Sequence, residues 1–232
     1  LAEEIKDKKT RANTLNNLGL LYQEQGSQQL AFDYFYKSLK VKEELNDKYG
    51  VAITRNNIGL IFMDREDYEP ALDYFNQALS IQKVLGDKEG WAISLENVAN
   101  AHFQMEEYDL AQEYYQQSFE LRKKIGDKKG ISSVLADYAL NSLAQGNTSI
   151  AIDQSQEAVQ VALEIGASKQ IMEAAKSLYI TQKQAGNLEK ALEAHELFSA
   201  FKDSVQSAES QRQLIAQEFK SEYEKQALTD SL

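Results

Sequence analysis

The sequence has no cysteine. That excludes disulfides and thiolate metal sites and leaves the redox compartment open. Proline occurs once in 232 residues. Long uninterrupted helices are therefore permitted, since a proline inside a helix removes an amide donor and clashes with the preceding turn. No apolar run approaches the ~18 residues of a membrane span. No signal peptide is evident, but the chain opens on Leu1 rather than on methionine, so this says little about its address. A basic stripe is missing too: the formal net charge is −11 and the isoelectric point about 4.8. Affinity for nucleic acid comes largely from lysine and arginine displacing counterions from a polyanion. Nucleic acid and anionic membrane surfaces are therefore poor partners, and the charge reads first as a device for solubility.

What is abundant is helix-forming. Ala, Leu, Glu, Gln and Lys dominate, and these residues lose least on entering a helix. Apolar residues make up 43%, the normal share for a chain that buries a core. An all-α chain is expected.

The chain repeats with a period of 40. LNDKYG ends at Gly50, LGDKEG at Gly90 and IGDKKG at Gly130. On that register five units align, at 11–50, 51–90, 91–130, 131–170 and 171–206, followed by a tail at 207–232. Ala31, Ala71, Ala111, Ala151 and Ala191 share one position, and Leu18, Ile58, Val98, Tyr138 and Leu178 another. Gly19, Gly59, Ala99 and Ala139 follow the latter directly; Phe35, Phe75 and Tyr115 share a position that Ser155 and His195 abandon.

Within a unit the apolar spacing is helical. Leu15, Leu18 and Tyr22 lie on one face of a first helix, and Ala31, Phe35, Leu39 and Leu45 form the stripe of a second. Gly26, Gly146 and Gly186 mark the turn between them, where positive φ ends a helix. Pro70 falls in the first turn of a second helix, where its missing N–H does no harm. Asp47, Asp87 and Asp127 are placed to cap the first helix of the next unit. Small residues such as Gly19, facing Ala31, let the two backbones approach, and aromatics such as Tyr22 and Phe35 fill the space between hairpins. No hairpin buries its apolar face alone; the neighbour completes the core.

Leu15, Leu18-Gly19, Tyr22, Ala31 and Phe35, then Ile58-Gly59, Phe62, Ala71 and Phe75, resemble the tetratricopeptide repeat (TPR). The resemblance covers the five units and implies a right-handed α-α superhelix of about five helical hairpins plus a C-terminal amphipathic helix. The usual repeat is about 34 residues and carries a proline at its end; here that proline is absent and the period is 40. Long units of this kind are similar to those of kinesin light chains, spindle-orientation adaptors and bacterial peptide-pheromone receptors. The fifth unit departs, with Tyr179 at the small position and Phe198 and Phe201 in its stripe.

Residues 1–10 align with 41–50, Glu3, Glu4, Asp7 and Lys8 matching Glu43, Glu44, Asp47 and Lys48. The chain is therefore expected to open on the end of a truncated preceding repeat. In the tail, Ile215, Phe219 and Tyr223 recur at four-residue steps, with Leu214 and Leu228 nearby, an amphipathic pattern that suits either a capping helix or a connector. FKDSV at 201–205 and EFKSEYEKQALTDSL at 218–232 resemble the junction in bacterial sensor proteins, where a TPR array runs into a connector and an output domain. That resemblance implies a histidine kinase, nucleotide cyclase or phosphatase outside this chain. It leaves a periplasmic, cytoplasmic or membrane-anchored setting open.

Stacked hairpins curve so that first helices line the concave side. Asn13, Asn16 and Asn17 of the first unit, with Leu20 one turn on, are expected there. Asn56, Asn57, Leu60 and Met63 of the second unit follow, then Asn97, Asn100 and Phe103 of the third and Asp137 of the fourth. An Asn side chain donates and accepts, so a ladder of them can pair with an extended peptide backbone whatever its sequence. The TPR resemblance implies that Asn17, Asn57 and Asn97 contact a bound peptide. The same Asn could instead bond neighbouring hairpins or face water. Clustered Lys and Arg are absent from this face, and Glu24, Asp64 and Glu96 favour a neutral or basic ligand.

Catalysis finds no support. His102 and His195 lie in different units on apolar stripes, and no nucleophile–base order, HExxH or phosphate-binding glycine loop is present. No enzyme activity, cofactor or metal is expected. The sequence reads as a protein- or peptide-binding module of a signalling protein, the alternative being a structural spacer or homo-oligomerisation element.

Overall fold

The computed structural model describes the backbone of residues 2–229 and the side chains of 5–208, 210 and 211. Among the described residues ten helices follow one another: α1 (Ala2–Glu24), α2 (Gln28–Glu44), α3 (Lys48–Asp64), α4 (Tyr68–Leu85), α5 (Lys88–Gln104), α6 (Tyr108–Ile125), α7 (Lys128–Ala144), α8 (Thr148–Ile165), α9 (Ser168–Gln184) and α10 (Leu188–Thr229). Odd-numbered helices are the first of each hairpin, even-numbered the second. Each helix packs on the next, and successive first helices touch along one side. The result is a helical solenoid whose core is divided among the hairpin interfaces.

The repeated words of the sequence are helix punctuation. Asp47, Asp87 and Asp127 accept bonds from the amides of Gly50, Gly90 and Gly130 at 3.0, 3.0 and 2.9 Å, capping α3, α5 and α7. Those glycines are needed by the caps, since a Cβ on Gly90 would stand 2.2 Å from Asp87 Oδ2. Between hairpins the chain turns through Asn46, Gly86, Gly126 and Gly166, and within hairpins through Gly26, Glu66, Glu106, Gly146 and Gly186, all at positive φ. Pro70 sits in the first turn of α4, as expected.

The five aligned alanines are buried, and so are Leu18, Ile58 and Val98. Phe35 joins Tyr22, Val51, Ile58 and Ile61 in the interface between the first two hairpins. Phe75 and Tyr115 repeat that role in the next two interfaces. One expectation needs correction: Gly19 makes room for a ring rather than for Ala31. A Cβ there would lie 2.5 Å from Phe35, and on Gly59 2.4 Å from Phe75. In the last interface Ser155 replaces the ring, and Leu178, Leu197 and Phe198 fill the space instead.

At the N-terminal end, residues 2–10 run into α1 without a turn. The register places Lys6 where Asn46, Gly86 and Gly126 turn the chain, and a lysine does not readily take positive φ. Asp7 therefore lies inside a helix rather than at its cap. At the other end, α10 is unbroken through position 206–207, so the second helix of the fifth hairpin and the tail form one helix, about 63 Å long at 1.5 Å per residue. It packs on α9 and also approaches α1. The side chains of Leu214, Ile215, Phe219, Tyr223 and Leu228 lie outside the described residues.

Candidate functional site

First helices α3, α5, α7 and α9 enclose a cavity of about 630 Å³ on their shared side. Leu60 comes from α3, and Glu96, Asn97 and Asn100 from α5. Helix α7 gives Ser133, Ala136, Asp137 and Leu140, and α9 gives Lys169, Gln170, Glu173, Lys176, Ser177 and Ile180. Four residues expected on the concave face, Leu60, Asn97, Asn100 and Asp137, thus meet in one site. Asn97, Asp137 and Ser177 occupy the same register position in three consecutive units.

The remaining expected residues divide. Asn13, Asn17 and Leu20 are exposed on α1, and Asn57 is half-buried on α3. Met63 packs beside Phe75 and Val98, and Phe103 beside Ala99 and Tyr115, so both are partly committed to the core. Asn16 and Asn56 are corrected: they are buried inside the stack. Asn16 accepts from Thr54 Oγ1 at 3.2 Å and Asn56 donates to Ser94 Oγ at 2.8 Å, each tying its hairpin to the next. They leave the set of ligand contacts.

These ties belong to a graded polar line along the hairpin interfaces. Lys42, buried, donates to Thr54 at 2.8 Å. Gln82, its counterpart one unit on, accepts from Ser94 at 2.6 Å. In the third unit the position is Arg122, only 5% exposed. It bonds Glu96 and, at 2.6 Å, Asp127. Burial pushes the Glu96 carboxyl above its ordinary value, while the guanidinium pulls it back. Geometry favours the ion pair, since the buried arginine would otherwise lose one of its two carboxylate partners.

Asp137 has no such ion-pair partner among the described residues. Its carboxylate accepts from the Asn100 amide, whose oxygen in turn accepts from Tyr115 Oη. Burial, with a further push from Glu173, raises its pKa to about 6 against the opposing Asn100 bond. The α9 wall was missed from sequence. It was legible, because 173 and 177 are 133 and 137 carried forward one period; the irregular Tyr179 masked it. His102 bonds Glu107 at 2.6 Å and stacks on Tyr114, away from this cavity. Among the described residues no cluster of His, Cys, Asp or Glu could hold a metal ion.

A tetratricopeptide repeat family model matches residues 10–83 and 92–164, well over half of the chain. The chain belongs to the tetratricopeptide repeat family. No curated protein sequence matches it, whereas solved structures do. BtubC (BKLC) from P. vanneervenii is 14% identical with a TM-score of 0.68, over 88% of this chain and 92% of that one. The Rap conjugation gene regulator of plasmid pLS20, solved with the Phr* peptide, is 15% identical with a TM-score of 0.76, over 89% of this chain and 57% of that one. A Rap protein complexed with Competence and Sporulation Factor is 16% identical with a TM-score of 0.72, over 79% and 51%. This TPR chain spans about half the length of those two Rap proteins, and at such identity the likeness shows the fold.

Proposed function

We propose that this TPR array is a docking scaffold whose concave face holds an extended peptide or protein segment. The observation that carries the reading is the cavity shared by α3, α5, α7 and α9, where Asn97, Asn100 and Asp137 converge beside Leu60, Leu140 and Ile180. Amides there can pair with a peptide backbone, and the apolar residues can select side chains. The Rap structures solved with the Phr* peptide and with Competence and Sporulation Factor support the same use of the fold. The scaffold acts within a larger bacterial signalling protein, with α10 relaying or positioning an output domain and no catalysis in this chain. Asn17 and Asn57 extend the site toward the first hairpin.

The test uses immobilised random pentapeptide pools and the full chain as analyte. Asn57→Ala with Asn97→Ala should lower retention at least tenfold, roughly the loss of two hydrogen bonds, while Asn57→Ala, which also removes the Asn57 bond to Asn16, should cost no more than about 1 kcal/mol of stability. Full retention by the double variant removes the ladder from the site.

A second reading, self-association, draws on one observation. Leu30, Leu110 and Ile150 recur at the same register position and are 44%, 42% and 52% exposed. Sedimentation of a strict monomer at high concentration counts against it.

A further inference from the structure

The cavity is not electrically uniform. Glu96 faces it but is neutralised by Arg122. Lys169 and Glu173, both on α9, stand 3.8 Å apart and offset each other. Lys176 is exposed, at the rim. Asp137 is left: it forms no ion pair among the described residues, and its one bonded neighbour in the cavity is a neutral amide. That amide is oriented by Tyr115 on the far side, so Asn100 presents hydrogens toward Asp137 and cannot rotate without losing a bond. A carboxylate set in this way has vacant acceptor sites directed at a space large enough for a side chain.

We infer that the cavity receives a cationic group of the docked segment, a lysine or arginine side chain or a free amino terminus, with Asp137 as its counter-ion. The inference rests on the docking reading and names the ligand chemistry of that same site. Two features favour a cation over an anion. The carboxylate of Asp137 lines the cavity without an ion-pair partner among the described residues. The lysines of the lining are either matched or at the rim. A charge-assisted bond formed away from bulk water is also stronger and more directional than a neutral one.

Occupancy should then depend on pH. The charged and titratable groups around Asp137 are Glu96 from α5, Tyr115 and Arg122 from α6, and Lys169, Glu173 and Lys176 from α9. Burial holds the Asp137 carboxyl at about 6. A cation binds the carboxylate, so binding releases a proton and strengthens as pH rises through that value.

The experiment uses the full chain and immobilised pentapeptide pools whose central residue is fixed as lysine, arginine, acetyl-lysine or citrulline, each with a free or acetylated amino terminus. Retention is read at pH 7.5 and pH 5.0 for the wild type and for Asp137→Asn, a near-isosteric change checked by melting. At pH 7.5 the wild type should prefer charged over neutral pools by roughly tenfold, the scale of a desolvated charge pair. The preference should shrink at pH 5.0 and vanish in D137N. Whether the fixed residue or the free terminus carries it identifies the source of the charge. Equal retention of charged and neutral pools, a preference that survives in D137N, or one indifferent to pH overturns the assignment and leaves peptide docking standing. Retention of no pool by the wild type overturns both.

Discussion

At Asp137 the folded protein holds a carboxyl whose proton affinity has been raised by burial, from 3.8 to about 6. Between those two values the folded state keeps a proton that the unfolded chain has released. Stability therefore falls as pH rises from about 4 to about 6 and stays lowered above it. Asn at this position should stabilise the empty protein by roughly 1–3 kcal/mol at pH 7.5, partial solvent access taking it below the full linkage value. The two proteins should melt together near pH 4. A wild type as stable as D137N at pH 7.5 would show that the carboxylate is well solvated. A charge kept at such a cost is what a binding residue looks like. Arg122 is the reverse case. Arg122→Ala strands Glu96 in the interface and should cost about 3–5 kcal/mol, whereas replacing both by apolar residues should recover most of it; a double-mutant cycle by urea unfolding measures the difference. This scale was the least legible from sequence. Asn16 and Asn17 are neighbours with the same side chain, yet one is buried and one exposed. A helix turns about 100° per residue, so the edge of the buried stripe passes between them. What satisfies Asn16 is Thr54 and Asn57, both on the next hairpin, and no local pattern announces partners at that distance.

At the scale of the element the sequence was almost transparent, because caps and turns are local. The DKxG words place the aspartate caps, and the glycine turns fall where they were expected. The exceptions are instructive. Glu66 and Glu106 hold φ of 64° and 60° at the turn where the other units use glycine. A left-handed residue with a side chain costs about 1–2 kcal/mol, offset in part by the stiffer unfolded chain. Glu66→Gly should raise stability by up to about 1 kcal/mol, read as a shift of the urea midpoint at constant slope; a loss would mean that the glutamate is held by something beyond its backbone. The opposite change is a packing test. Gly59→Ala drives a Cβ into the Phe75 ring, and overpacking of a full core costs about 1–3 kcal/mol. Residues 2–10 carry the letters of a cap, yet the helix runs through them unbroken as the start of α1.

For the whole molecule, the period of 40 foretold the architecture because each hairpin touches little besides its neighbours. The core is a row of interfaces: the first three are built on an aligned alanine and a ring at the position of Phe35, the last on Leu135, Ala158, Ala174 and Ala175. Stability in such an array is close to a sum over interfaces, and opening should proceed inward from the ends. Two features modify that scheme. Arg122, Glu96 and Asp127 lock α5, α6 and α7 together in the middle, and α10 reaches α1. Amide hydrogen exchange should therefore be slowest in α5–α7 and fastest in α1 and the tail of α10, with α9 between. The cavity has walls from both regimes, a rigid one on α5 and α7 and a softer one on α9. A docked segment bridging them should slow exchange in α9 far more than in α5, since α5 has little left to gain. Uniform slowing along the array would instead place the ligand outside the cavity, on the surface that all five hairpins share.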